Sequence, residues 1–83
     1  MAVSREELRG LLKKQDYTCA ISGVKITPET ASLDHIVPHS HGGTDEVDNA
    51  QWLHTEVNRM KGSLTDEEFR FWIGKIATGL SSV

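Results

Sequence analysis

The stretch Leu33-Asp34-His35-Ile36-Val37-Pro38 decides the fold of this 83-residue chain, together with the loop and helix that follow it. Alternating polar and apolar residues from Ala31 to Val37 predict a strand. Upstream, Val24 to Thr27 predicts a second short strand, which Pro28 ends. We expect these two strands to be the β elements of a ββα unit, joined by Pro28-Glu29-Thr30.

A glycine loop and a helix are predicted after the strand. The segment His39-Ser40-His41-Gly42-Gly43-Thr44-Asp45 is rich in turn-forming residues. The run from about Ala50 to Lys61 predicts a helix that ends at Gly62, because glycine is typical of helix C-caps. This order brings Asp34, His35 and Asn58 within reach of one another. A carboxylate, an imidazole and an amide at one place are the groups of a metal-assisted hydrolytic site.

Two capping boxes predict further helices at the ends of the chain. One helix begins after Ser4 and runs to about Lys14, and the other begins after Thr65 and runs to Gly79. The last helix carries apolar side chains at helical spacing, which we expect to pack on the N-terminal helix and the sheet: Phe69, Trp72, Ile73 and Ile76. The predicted fold class is therefore α+β, with residues 1–83 forming one domain.

Composition narrows the function classes. The formal net charge of −3 counts against nucleic-acid binding, although the placement of the charges matters more than their sum. The single cysteine, Cys19, excludes an internal disulfide and fits a reducing compartment. With no signal peptide and no apolar run that would span a membrane, we expect a cytoplasmic protein.

The residue types at the predicted site suit phosphodiester hydrolysis. His35 is the candidate general base, since an imidazole exchanges protons near neutral pH. Asp34 and Asn58 supply hard oxygen atoms for one divalent cation, and such donors suit Mg²⁺ or Mn²⁺. His54 lies four residues before Asn58 on the same helical face, and it is either a further metal ligand or a packing residue.

Three motifs in this region share their residue types, order and spacing with a known family: D-H-I-x-P-x-S-x-G-G, then D-N-x-Q, then N-R-x-K-G. The sequence resembles the HNH endonucleases, also called ββα-metal nucleases. It is most similar to members whose motif ends in Asn, as in phage homing endonucleases and the HNH domain of RNA-guided CRISPR nucleases. The resemblance implies a small ββα-metal fold with additional terminal helices, a DNA substrate and metal-dependent cleavage.

Asn49 is assigned a separate role. It precedes Asn58 by nine residues, or about two and a half helical turns, so the two would face opposite ways in one helix. Asn49 is therefore better placed at the helix N-cap or in the loop before it. The resemblance implies that its amide holds the loop and orients the His35 ring. An ordinary N-cap is the alternative, and the two roles are compatible.

Many members of the family hold a structural zinc ion with two Cys-x-x-Cys pairs. Here the four positions carry Cys19, Ser22, His54 and Val57. Because Ser22 and Val57 are unsuitable ligands, we expect no structural zinc. We expect self-association to offset the lost stability, with Phe71 and Leu80 meeting a partner chain in a homodimer.

Nucleic-acid contacts are assigned to four further residues. Arg59 and Lys61 either contact the DNA backbone or complement the helix dipole. His39 and His41 either touch phosphate or face water. Two other functions compete with the endonuclease: a non-catalytic nucleic-acid-binding module, and a structural domain built on a zinc knuckle. The missing zinc ligands count against the second.

Overall fold

A computed structural model describes residues 3–81 and shows an α+β fold built on a two-stranded antiparallel sheet. In chain order the elements are α1 (Arg5–Lys14), β1 (Ala31–His35), β2 (Ala50–His54), α2 (Thr55–Lys61) and α3 (Asp66–Ser81). Short 3₁₀ turns at His39–His41 and Val47–Asn49 connect the strands. The predicted fold class is confirmed, and β1, β2 and α2 form the ββα unit. The prediction of one domain over residues 1–83 reaches beyond the described residues and stays a prediction.

The second strand of that unit is not the one predicted. Val24 to Thr27 makes an isolated bridge, between Thr18 and Lys25, instead of a strand. Residues 50–54, predicted as the start of a helix, instead form β2, which pairs with β1 in the register Asp34 with Gln51. Residues 50–54 form a strand and not a helix because alternation along β2 buries Gln51 and Leu53 on the same face, which a helix would not do. The helix therefore begins only at Thr55.

The N-terminal helix agrees with its prediction and packs beside β2. The backbone N–H of Glu7 donates to the Ser4 hydroxyl at 3.1 Å, and the Ser4 N–H donates to the Glu7 carboxylate at 3.0 Å, which completes the capping box. The Trp52 indole donates to the Leu8 carbonyl at 2.9 Å. The Gln15 amide accepts from the Trp52 N–H at 2.9 Å, and these bonds attach α1 to β2.

A small apolar core includes Cys19 and Val57, two of the four positions considered above as zinc ligands. Cys19, Ile26 and Leu53 are buried, and Val57 packs against them. Burial raises the pKa of the Cys19 thiol, but hydrogen bonds from Ser22 and from the backbones of His54 and Ile21 outweigh this effect, so the pKa is lowered. Cys19 is therefore a buried free thiol within this core. The absence of a structural zinc stays a prediction.

The packing predicted for α3 is wrong. Its capping box forms as expected between Thr65 and Glu68, and Phe69 is buried. Further along the helix, Trp72 and Ile76 are 55% and 60% exposed. Asp66 in the first turn of α3 is bound to Gln51 of the ββα unit, but the later turns, within residues 3–81, are not closely packed on α1 or the sheet. None of the helices within residues 3–81 has the length and apolar character needed to cross a bilayer.

Candidate active site

The two central residues of the motif, Asp34 and His35, point to opposite faces of β1, as neighbours on a strand do. Asp34 faces α2 and is 7% exposed. Its Oδ2 atom accepts from the Lys61 ammonium at 2.5 Å and from the Gln51 amide at 3.0 Å. His35 faces the glycine loop with a half-exposed ring. The strand thus separates one buried charged group from one accessible imidazole.

Lys61 is a structural residue in this arrangement. Its side chain is 0% exposed and lies between the carboxylates of Asp34 and Asp66. The Lys61 Nζ atom is 3.1 Å from Asp66 Oδ1. The ammonium also donates to the backbone carbonyls of His35 at 2.8 Å and Ile36 at 3.3 Å. These oxygen atoms enclose the ammonium, so it is not available to a nucleic-acid phosphate. The sequence-based assignment of Lys61 to the DNA backbone is therefore wrong for this conformation.

The His35 ring belongs to a cluster of three side chains. Its Nε2 atom lies 2.9 Å from Asp45 Oδ1, and Nε2 of His39 lies 2.7 Å from the same oxygen. The two imidazole rings meet edge to face with their centroids 4.7 Å apart. His35, His39 and Asp45 form the one group of His, Cys, Asp or Glu side chains within residues 3–81 whose ligand atoms could converge on a metal ion.

The charge of Asp45 fixes the proton arrangement of this cluster. Hydrogen bonds from His35, and then from His39, lower the pKa of Asp45 below its ordinary value of 3.8. The carboxylate is therefore ionised at neutral pH and can only accept hydrogen bonds. Nε2 of His35 must carry its proton, which leaves the lone pair of a neutral ring on Nδ1. No hydrogen bond to that atom is found among residues 3–81.

Asn49 holds the loop that carries this cluster. Its side-chain oxygen accepts from the Val37 N–H at 2.9 Å. Its amide nitrogen donates to the carbonyls of Val37 at 2.9 Å and Thr44 at 2.8 Å. Asn49 ends the 3₁₀ turn before β2, so it lies in the loop, one of its two predicted places, although a strand and not a helix follows it. Asp45, rather than Asn49, contacts the His35 ring.

Gly43 is required for this loop to close. A Cβ atom placed on it would lie 1.6 Å from the Val37 carbonyl oxygen and 2.9 Å from the Asn49 amide nitrogen. The backbone of the loop therefore approaches the end of β1 more closely than any side chain allows. The neighbouring Gly42 caps the 3₁₀ turn with a φ of 84°, a left-handed conformation that favours glycine.

The predicted metal ligand Asn58 lies on the buried side of β1, the side to which Asp34 also points. Its amide nitrogen donates to the Ser32 hydroxyl at 2.7 Å, and no hydrogen bond to its Oδ1 atom is found among residues 3–81. Both donors that reach the Asp34 carboxylate use Oδ2. Asp34 and Asn58 therefore lie between β1 and α2. Neither of them belongs to the cluster of ligand atoms around His35.

The remaining predicted residues have separate partners. His54 caps the N-terminus of α2, because its Nδ1 atom accepts a hydrogen bond from the Glu56 N–H at 3.1 Å. The Nε2 atom of His41 lies 3.5 Å from the Oε1 atom of Glu68 in α3. Arg59 forms an exposed ion pair with Glu56 at 3.0 Å. Such surface pairs are weak, so this ion pair does not fix the Arg59 side chain.

The sequence alone did not reveal Asp45 as the partner of His35. The signal that would have found it is an acidic residue directly after Gly42-Gly43-Thr44, because the glycines reverse the chain toward the end of β1. The role of Lys61 was missed for a different reason. A lysine in the last turn of a helix is usually explained by solvent and the helix dipole, so burial was not expected.

Comparison with known proteins identifies the family of this arrangement. The family model described as HNH endonuclease matches residues 17–64, which is more than half of the 83-residue chain. The matched segment contains β1, the glycine loop, β2 and α2, and it stops before α3. No curated protein matches the chain.

Proposed function

Because this chain belongs to the HNH endonuclease family, we propose that it is a metal-dependent DNA endonuclease that hydrolyses phosphodiester bonds. Membership of the family by itself indicates a nuclease or nucleic-acid-binding function. One observation carries the catalytic proposal: the His35 ring is accessible, and Asp45 binds its Nε2 atom at 2.9 Å. A purely binding module has no need of a carboxylate that holds an imidazole in one orientation.

His35 acts as the general base in this proposal. Its Nδ1 lone pair accepts a proton from the water that attacks the phosphorus, while Nε2–H remains bonded to Asp45. The imidazolium that forms is stabilised by the adjacent carboxylate, and that carboxylate also keeps the ring from rotating. Asn49 acts at one remove, because it fixes the loop on which Asp45 lies.

HNH domains typically bind a divalent metal ion, and we propose that Asp34 and Asn58 hold a Mg²⁺ or Mn²⁺ ion here. The donor set fits such an ion, since the Asp34 carboxylate and the Asn58 amide each keep an oxygen atom that accepts no hydrogen bond from residues 3–81. When bound, the cation neutralises charge on the phosphate and the departing oxygen. The neighbouring Lys61 ammonium competes for Asp34, so we expect weak metal binding.

The DNA substrate and the subclass of the enzyme are proposals of the same kind. The likeness to members whose motif ends in Asn rests on Asn58-Arg59-Met60-Lys61-Gly62. Arg59 is exposed beside Asn58 and is the proposed phosphate contact on α2. His39 and His41, which lie on the adjacent loop, would meet the same strand of nucleic acid.

The test of the proposed function is nicking of supercoiled plasmid with Mg²⁺ or Mn²⁺, with EDTA as the metal-free control. We expect nicking by the wild-type chain and a loss of about 10²–10⁴-fold in His35→Ala. The inactive His35→Ala preparation controls for contaminating nuclease, and Thr78→Ala, whose hydroxyl bonds to the Gly74 carbonyl within α3, controls for unspecific effects of a substitution. Equal nicking by all three proteins, or binding of DNA without any nicking, contradicts the proposal.

The metal ligands are tested separately with Asn58→Ala. We expect a calorimetric titration with Mn²⁺ to show weaker binding, because the variant lacks the amide oxygen, and we expect the nicking rate to fall with it. Asn49→Ala is the matched control, since its amide binds the loop backbone. An unchanged Mn²⁺ affinity in Asn58→Ala contradicts the assignment.

We also propose that the chain forms a homodimer through α3. Phe71 is 56% exposed on one face of α3. Leu80 is 71% exposed and lines an open apolar groove of about 830 Å³ on the opposite side of the helix, so the dimer contact is assigned to the face of Phe71. Glu67, Phe71 and Lys75 follow one another at intervals of four residues on one face. Two antiparallel copies that cross at Phe71 would therefore place each Glu67 beside the Lys75 of the partner chain.

Light scattering at micromolar concentration tests the dimer. We expect a dimer for the wild-type chain, a monomer for Phe71→Glu and a weakened dimer for Glu67→Lys. Adding Lys75→Glu to Glu67→Lys restores the charge pair in the proposed antiparallel arrangement and should restore the dimer. A monomeric wild-type chain contradicts the proposal, and a Glu67→Lys variant that the second change does not rescue contradicts the antiparallel pairing.

A further inference from the structure

The cluster of His35, His39 and Asp45 offers a set of ligands different from the one proposed for the catalytic ion. Two imidazole nitrogens lie 2.9 Å and 2.7 Å from one carboxylate oxygen, and the three ligand atoms all lie within 4.8 Å of one another. By contrast, Asp34 and Asn58 provide only oxygen atoms. The chain therefore presents one oxygen-only pair and one nitrogen-rich group to metal ions.

We propose that His35, His39 and Asp45 form a second metal site, selective for a borderline transition-metal ion such as Zn²⁺. Two imidazoles and a carboxylate are the ligands that Zn²⁺ accepts, with a remaining position for water. Mg²⁺ prefers oxygen atoms and octahedral geometry, so this group discriminates against it. The site is open to solvent, because the side chains of His39 and Asp45 are 61% and 40% exposed.

The loop supports this assignment because it already orders the ligands. The 3₁₀ turn His39–His41 directs the His39 ring toward Asp45, and Asn49 fixes the backbone on both sides of the turn. The three ligand atoms already lie within 4.8 Å of one another, and His39 and Asp45 are exposed, so rotation of these two side chains can bring the atoms around one ion. Little conformational entropy is then lost when the ion binds.

Occupation of this site would switch off His35 as a base. A metal ion at Nε2 takes the lone pair of that atom, so the proton of the neutral ring leaves Nε2 for water and another proton from water binds Nδ1. The ring keeps one proton and no net proton is released. Nδ1 then has no free lone pair for the attacking water. This inhibitory step rests on the proposed function, whereas binding of the ion does not.

Calorimetric titration of the full chain with Zn²⁺, without DNA and without Mg²⁺, tests the site directly. We expect one zinc ion per wild-type chain and an affinity reduced by about 10–100-fold or more in His39→Ala. His41→Ala is the matched control, because His41 lies on the same turn but faces Glu68. Asn58→Ala should also keep the zinc ion. Circular dichroism establishes that each variant is folded.

Three results would overturn the site: no zinc binding by the wild-type chain, full binding in His39→Ala, or equal losses in His39→Ala and His41→Ala. Inhibition is measured by adding Zn²⁺ to Mg²⁺-driven nicking, with each protein compared with its own zinc-free rate. We expect inhibition of the wild-type chain and resistance in His39→Ala. Equal inhibition of both overturns the switch. Zinc binding through His39 in a chain that never nicks DNA would refute the nuclease and leave the site standing.

Discussion

Each face of β1 carries a titratable side chain paired with a charged group, but one pair is buried and the other is accessible. On the buried face, Asp34 is paired with a lysine that is 0% exposed. On the accessible face, His35 shares Asp45 with His39, and its side chain is 35% exposed. Buried charges that are fully paired hold elements together, whereas an oriented ring with a free lone pair can react. The comparison separates the buried ion pair of Asp34 and Lys61, which holds the fold together, from the accessible His35 ring, which is the proposed general base.

The largest expected effect on stability comes from breaking the buried face. Lys61→Ala leaves the Asp34 carboxylate buried without its cation and removes the contact with Asp66. We expect the free energy of unfolding to fall by about 3–5 kcal/mol, measured by urea denaturation. Lys25→Ala is the matched control, because the Lys25–Asp16 pair is 72% and 90% exposed. That variant should change the free energy by less than about 1 kcal/mol. Equal effects of the two substitutions would erase the distinction between the faces.

A smaller loss of stability is expected from the loop that connects the two faces. Asn49→Ala removes three hydrogen bonds and leaves the N–H and carbonyl of Val37 without their partner. We expect unfolding to become easier by roughly 1–3 kcal/mol, and nicking by the folded fraction to fall because Asp45 loses its fixed position. Asn49→Asp serves as a control that keeps the acceptor and lacks the donor. A normal rate in Asn49→Ala would show that the loop needs no such support.

The smallest effect concerns pH and the accessible face. Because the pKa of Asp45 is lowered by His35 and His39, its charged form stabilises the folded state. This contribution is complete above the unfolded value and is lost as pH falls through the folded value, which lies below 3.8. We expect the melting temperature of Asp45→Asn to fall less between neutral pH and strong acid than the melting temperature of the wild-type chain falls. Parallel pH profiles for the two proteins would contradict the hydrogen bonds of the cluster.

The parts of the fold that local rules determine could be predicted from the sequence. The capping boxes at Ser4 and Thr65 depend on side chains three residues apart, and both helices begin where these rules place them. β2 could not be predicted in this way. Residues 50–54 fit a helical run, and only pairing with β1 makes the alternating burial of Gln51 and Leu53 favourable. Tertiary context overrides local propensity in such short segments.

In the candidate site, too, some residues could be located from the sequence and others depend on tertiary structure. His35 and Asn49 could be located from residue types and spacing, because the motif places them next to a strand end and a loop. Asp45 and Lys61 could not, because their roles depend on how the chain folds back over β1. The exposure of α3 could not be predicted either. An apolar pattern predicts that one helix face is buried, but it does not identify the element that covers this face.

The most direct test of the central claim is chemical rescue of His35→Ala by imidazole in plasmid nicking. We expect the variant to unfold at nearly the wild-type denaturant concentration, because the lost ring is half-exposed. Its nicking rate should be lower by about 10²–10⁴-fold and should rise with added imidazole, which replaces the missing base. A variant that nicks at the wild-type rate, or one whose loss of activity is explained by unfolding, would contradict the assignment of the general base to His35 on the accessible face of β1.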